Sequence, residues 1–284
     1  MQNFVLKFLG LASTSVFFLF SCQSPKENQT LELLAGAVLA YQAATTIVCT
    51  SEQLTKTQNS RVFQTSFESA NEFSLFYIVP SPYQSAAIHG QSTEQKHTGT
   101  YSHKASIIGP GPFCFYPQNC NHRGYPTIQL NKLPSGGFKT PVLIEFYVYL
   151  DMDLVTNQDW FSFATYSADP SDAWRKVVLV NMDAKGYVYL MHVPIHNQNQ
   201  YSYQVTNLSF PRRQWKKLST CLDLSPQGGF AKVWVDGTLV STANVSGGCG
   251  VLEQAHFGLY ASPSLSSGSV YNDDLRIEEV NVCP

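Results

Sequence analysis

The sequence predicts an all-β protein in which antiparallel sheets pack face to face. Three observations lead there. The stretch Trp215–Val245 reads as three consecutive strands, with Leu218, Leu222 and Leu224 alternating on one face and Ala231, Val233 and Val235 on the next. Asp236-Gly237 joins the last two of them, and a two-residue type I′ hairpin turn needs positive φ at both positions, which Asp tolerates and Gly prefers. The clearest period-two signal is Val142 to Leu150: Val142, Ile144, Phe146, Val148 and Leu150 point one way, and Glu145, Tyr147 and Tyr149 the other.

From the N-terminus, residues 1–22 read as a targeting segment. Lys7 gives a minimal basic region, Phe8 to Phe20 is apolar, and Leu19-Phe20-Ser21-Cys22 has the form of a lipobox ending in the cysteine to be acylated. The apolar run is too short for a membrane-spanning helix of ~20 residues. An ordinary secretory signal is the alternative. With Gln23 rather than Asp after Cys22, the expected address is the outer membrane or cell surface, held there by palmitate-type acylation. Residues 23–60 are expected to form a polar tether and a short apolar helix over 31–48; a helix packed on the sandwich or a stiffened linker outweighs a membrane-proximal role.

The β domain is expected to span 61–284. Val62, Phe63 and Phe67 begin an edge strand, and Tyr101 to Ile108 forms a second, stopped by Gly109-Pro110-Gly111-Pro112. Tyr125 to Leu130, Val142 to Leu150, Trp160 to Tyr166, Arg175 to Asn181 and Tyr187 to Val193 follow, with a turn at Asp183 to Gly186. Phe257 to Ala261 and Asp274 to Val280 close the sheets.

Composition narrows the function classes. A net charge of −2 with scattered basic residues leaves no footprint for nucleic acid. Seven cysteines minus Cys22 leave an even set, Cys49, Cys114, Cys120, Cys221, Cys249 and Cys283, suited to disulfides in an oxidising compartment. Sequence alone leaves the pairing open; Cys114 with Cys120, Cys221 with Cys249 and Cys49 with Cys283 is the expected set. No Cys-x-x-Cys pair points to zinc.

A strand opening on Trp215, a Gly-rich turn, the VWVDG hairpin, HFGLYA and YNDDLRI, together with TSFES and HTGTYSHKASI near the start, carry a resemblance over Phe63 to Val280. They resemble the concanavalin A-like jelly rolls, the lectin, LamG and polysaccharide-lyase group. The resemblance implies a β-sandwich of two antiparallel sheets. It also implies a structural Ca²⁺ held by Glu68, Asp273 and Asp274, hard oxygens near the first and last strands; a plain polar turn is the competing reading.

A lyase acting by β-elimination needs a neutraliser for the uronate carboxylate, a base for the C5 proton and an acid for the leaving oxygen. His122, Arg123, Tyr125, Tyr189 and His192 supply those types, although the Arg-x-Glu-Leu-Arg and Gln-Ile-His motifs of alginate-lyase-type relatives do not occur. A structural loop is the competing reading for His122 and Arg123, and it carries more weight. The Glu-x-Asp-x-x-Glu strand of laminarinase-type relatives is missing too, and Asp151 and Asp153 near a strand end are ordinary turn residues. Binding asks for less: aromatic platforms for sugar C–H faces and polar side chains for hydroxyls. Gln129, Glu145, Tyr147, Tyr149, Tyr187 and Trp174 are the expected ligand contacts, on a groove for a polysaccharide or glycan. A carbohydrate-binding surface lipoprotein is therefore the leading expectation, a polysaccharide lyase the second, and a structural or protein-binding adhesion domain the third.

Overall fold

The computed structural model describes residues 49, 60–69, 77–78, 86–111, 120–171, 174–194, 200–202 and 205–284. They belong to a compact unit, Ile47–Pro284. The targeting segment with Cys22, the tether, the 31–48 helix and Cys114 lie outside the described residues.

The strands in chain order are β1 Val62–Thr65, β2 Tyr77–Ile78, β3 Ala87–Ser92, β4 Ser102–Ile107, β5 His122–Gly124, β6 Pro126–Ile128, β7 Phe138–Lys139, β8 Val142–Asp151 and β9 Phe161–Ser167. Then come β10 Val177–Met182, β11 Val188–Val193, β12 Gln200–Ser202, β13 Trp215–Asp223, β14 Gly229–Val235, β15 Thr238–Val245, β16 Val251–Leu252, β17 Gln254–Ala261 and β18 Gly268–Glu279. The first sheet has the order β15-β14-β13-β8-β18-β4-β3, with β1 also on β18. The second runs β12-β11-β10-β9-β17-β6-β2, with β5 also on β17. All pairings in both are antiparallel.

β8 sits mid-sheet for the reason its sequence alternates. Val142, Ile144, Phe146, Val148 and Leu150 are buried and meet the second sheet, while Leu143, Glu145, Tyr147 and Tyr149 stay half-exposed. Phe146 meets Phe257 of β17 edge to face, with ring centroids 5.1 Å apart, and the Tyr166 hydroxyl of β9 donates to Thr220 Oγ1 of β13 at 3.3 Å. The two sheets thus share one apolar interior, and each large side chain buried there contributes about 1.5–3 kcal/mol. The β14–β15 turn has φ of 47° at Asp236 and 81° at Gly237, the pair of positive values a type I′ turn requires.

Three features depart from the sequence reading. β3 was not foreseen, because AIHGQS carries Gly and His and too little alternation to register. β18 begins at Gly268, six residues before the expected start at Asp274, so Tyr271 and Asp273 belong to the strand. The disulfides are Cys49–Cys249 and Cys221–Cys283, not Cys49–Cys283 and Cys221–Cys249. The reason is topological: Cys221 lies on β13, paired to the β8 residue Leu143, which is paired in turn to Glu278 of β18, so the chain just past β18 ends beside Cys221. Cys120 is disulfide-bonded as well.

Candidate functional site

The outer face of the second sheet, turned away from the shared core, carries three rungs of side chains set by strand register. The first rung is Gln254, Ser167, Val177 and Val193. The second is Thr127, His256, Thr165, Leu179, Met191 and Tyr201. The third is Arg123, Tyr260, Ser162, Asn181 and Tyr189. A register shift on β17 falls between Phe257 and Tyr260, where Gly258 adopts φ 131°. Phe257 and Leu259 fill the core, so His256 and Tyr260 both face outward.

Aromatic rings crowd this face. Tyr125 stacks on His256 with centroids 3.8 Å apart and meets Tyr260 edge-on at 6.3 Å. Trp174 lies 4.8 Å from His256, and Trp160 lies 4.9 Å from Tyr260. Tyr189 and Tyr201 are 6.5 Å apart, and Asn181 Nδ2 donates to the Tyr189 hydroxyl at 3.4 Å. Arg123 places its guanidinium 5.3 Å from the Tyr260 ring centroid, a cation–π arrangement, and Asn121 Nδ2 donates to the Tyr260 hydroxyl at 3.0 Å. The three rungs hold no Asp or Glu. Burial, and then the nearby Arg123 charge, push His256 down to about 3, so its imidazole is neutral at physiological pH.

The predicted site residues divide. Arg123, Tyr125, Tyr189 and Trp174 belong to this face, and Tyr187 lies one pleat beyond Tyr189, bridged to Ser209. His122 and His192 turn inward, a correction to their expected role: His122 Nε2 meets the Leu265 carbonyl at 2.8 Å, and His192 Nε2 accepts from the Ser246 N–H at 3.0 Å. Both are buried, because their strand neighbours Arg123 and Met191 take the outward positions. Gln129 receives the Lys132 ammonium at 2.7 Å beside a 3-10 turn, Leu130–Lys132.

Glu145, Tyr147 and Tyr149 lie on the opposite face of the sandwich, the outer side of the first sheet, and cannot act with Arg123 on one ligand. There Lys217 and Ser219 engage Glu145, the His97 ring stacks on Tyr147 at 3.5 Å, and Trp215 and Tyr271 flank Tyr149. Sequence reasoning missed His256 and Tyr260 as site residues, although HFGLYA carried the signal: a glycine splitting a strand that bears two outward rings.

The oxygens expected to hold calcium face protein donors. Glu68 accepts from the Thr100 and Tyr101 N–H groups, and Asp273 from those of His97, Thr98 and Asp274. Asp274 takes Thr98 Oγ1 and His97 Nδ1, each at 2.7 Å. Protein donors thus engage each of these carboxylates, and among the described residues no three His, Cys, Asp or Glu side chains gather as a metal site. A separate cavity of about 520 Å³ is lined by Asp151, Asp153, Asp159 and Arg213. Its carboxylates are likewise engaged, Asp151 and Asp153 with Arg212 and Arg213 and Asp159 with the Val155 and Thr156 N–H groups.

Comparison with solved structures finds a similar fold elsewhere. Cip1, a cellulose-induced protein, superposes with a TM-score of 0.55 at 15% identity, over 78% of this chain and 100% of that one. The endo-β-1,4-glucuronan lyase of the fungus Trichoderma reesei gives 0.52 at 13% identity, over 70% and 89%. The chain is a jelly-roll β-sandwich. The carbohydrate-binding module CBM66 of Bacillus subtilis is more distant, at 0.33. No family model and no curated protein matches this sequence.

Proposed function

We propose that this jelly roll binds a carbohydrate polymer across the outer face of its second sheet. One observation carries the reading: Trp160, Trp174, Tyr125, Tyr260, Tyr189 and Tyr201 share a face with the cation Arg123, and the three rungs, among the described residues, hold no carboxylate. Rings offer apolar platforms to sugar C–H faces, Arg123 offers a partner to an acidic sugar, and the side-chain amides and hydroxyls of Asn181, Thr165 and Thr127 suit sugar hydroxyls. The similar folds of a glucuronan lyase and of a cellulose-induced protein support the same direction. Hydrolysis by paired carboxylates has no support on this face, since that chemistry needs two of them. The test is a glycan array together with affinity electrophoresis in glucuronan, alginate, heparin and a neutral β-glucan; retarded migration in none of them would sink the proposal.

A second reading, a lyase acting on a uronate polymer, has one specific support. Arg123 and Tyr260 lie in contact, the residue types that neutralise a uronate carboxylate and exchange protons with the sugar. In such a step the base removes the C5 proton, the electron pair forms the C4–C5 double bond, and the departing O4 is protonated. The unsaturated product absorbs in the ultraviolet, so a flat absorbance trace with each uronate polymer excludes this reading while leaving binding intact. Silence in both assays favours a protein-binding surface.

We further propose that acylated Cys22 anchors the domain outside the cytoplasm. The disulfides Cys49–Cys249 and Cys221–Cys283 suit an oxidising compartment. Labelled palmitate incorporated by the full chain, and lost in Cys22→Ala, is the expected result.

A further inference from the structure

Besides Gln254 Oε1 on the first rung, three polar side chains on the ring-lined face carry atoms with no hydrogen-bond partner: His256 at both ring nitrogens, Thr165 at Oγ1 and Asn181 at Oδ1. All three are buried, with exposures of 6%, 3% and 2%. An unmade hydrogen bond at a buried atom costs about 1–3 kcal/mol, and native folds keep few. Here they fall together. His256 stands opposite Thr165, and Asn181 lies one pleat along from Leu179, the residue on the other side of Thr165.

A ring lies against the His256 end of this patch under backbone strain. Trp174 lies against His256 and has φ 48°, a region bulky side chains rarely occupy. Anchors on either side hold it there. Gln254 Nε2 donates to the carbonyls of Asp169 and Ser171, and the Asp169 carboxylate accepts from the N–H groups of Ser171 and Arg175. An unpaired floor under a strained ring is an arrangement whose costs a ligand would offset.

We infer that Thr165, His256 and Asn181 form a hydroxyl-reading floor for a saccharide ring, and that Trp174 is its movable cover. This rests on the carbohydrate-binding reading above and specifies which part of the sugar each group takes. A neutral imidazole offers one donor and one acceptor, Asn181 Oδ1 only accepts, and Thr165 does either. A sugar hydroxyl, which donates and accepts at once, satisfies all of them. A carboxylate only accepts and would face the lone pairs of Asn181 and His256 unpaired. The floor therefore selects ring hydroxyls, and an acidic group belongs at Arg123, on the neighbouring rung.

The cover is tested without any ligand. Acylation of His256 by diethyl pyrocarbonate, followed by peptide mass analysis of the full chain, is expected to be slow in the wild type and at least tenfold faster in Trp174→Gly. Equal rates overturn the cover. The floor is tested by calorimetric titration with a glucuronan hexasaccharide and with cellohexaose. His256→Phe and the nearly isosteric Thr165→Val should each weaken both probes at least tenfold. Thermal melting identifies variants that fail to fold, and Thr165→Val decides the matter if His256→Phe is one of them. Affinities within twofold of wild type for both probes overturn the floor while leaving carbohydrate binding standing. Failure of the wild type to bind either probe or any polymer of the electrophoresis panel overturns the carbohydrate reading itself.

Discussion

Arg123 stands on a rung with tyrosines, serine and asparagine, its guanidinium over the Tyr260 ring and donating to the Asn121 carbonyl. A charge-assisted hydrogen bond to an acidic sugar contributes about 1.5–3 kcal/mol. Arg123→Gln is therefore expected to weaken binding of a uronate polymer about tenfold to a hundredfold and to leave a neutral β-glucan unaffected. Titration at low and high salt provides the check, because the Coulombic share is screened; equal losses on both polymers would show that Arg123 acts only by packing on Tyr260. That Arg123 and Tyr189 share the outer face of one sheet with Tyr125 and Trp174 was not legible from local alternation, because it depends on how β5, β17, β9, β10 and β11 pair. Nor were His122 and His192 separable from them. Period-two alternation says that neighbours face opposite ways, but not which way a short strand such as His122–Gly124 is set against the core.

At the scale of elements, β17 ties the site to the interior. Gly258 shifts its register, and a Cβ there would stand 2.8 Å from the Gly124 carbonyl oxygen and 2.9 Å from His103 Cε1. Its φ of 131° is equally unsuited to a side chain. Gly258→Ala is expected to destabilise the domain by about 1–3 kcal/mol and to weaken ligand binding through the displaced Tyr260; unchanged urea midpoint and affinity would refute this. The last strand is secured separately. Cys221–Cys283 fixes the chain beyond β18 to β13, so replacing both cysteines by alanine should cost about 2–4 kcal/mol of unfolding free energy. Urea unfolding with and without reductant measures it, and reductant should affect the double variant less. Strand existence was largely readable from the sequence, since alternation is local. Disulfide partners were not, because the closeness of Cys221 to Cys283 depends on β13, β8 and β18 being neighbours, a relation set by the whole sheet.

Across the whole molecule, buried histidines make the fold sensitive to acid. His89 and His103 face each other, His89 Nδ1 lying 3.2 Å from His103 Nε2, and the other nitrogen of His103 lies 3.3 Å from Asn272 Nδ2. Burial pushes His89 down to about 4 and His256 to about 3, and lowers His103 and His192 as well. A histidine whose pKa falls on folding binds its proton more readily in the unfolded chain, so stability is complete above the unfolded value and is lost as pH falls below it. The window opens near pH 6.5 and extends to about 4 for His89 and about 3 for His256. Each histidine then removes about 1.4 kcal/mol per pH unit. Carboxylates held low by their partners, Glu94, Asp153, Asp159, Asp169 and Asp236, lose their contribution only nearer their ordinary values of 3.8 to 4.5. Glu253 and Asp273, raised by burial, act in the opposite sense. The fall between pH 6.5 and pH 5 therefore belongs to the histidines. Unfolding free energy from urea titration should drop by about 2 kcal/mol for each of His89 and His256 across that interval. His89→Leu should make the slope shallower by about one proton, whereas a slope unchanged in that variant would locate the acid sensitivity elsewhere.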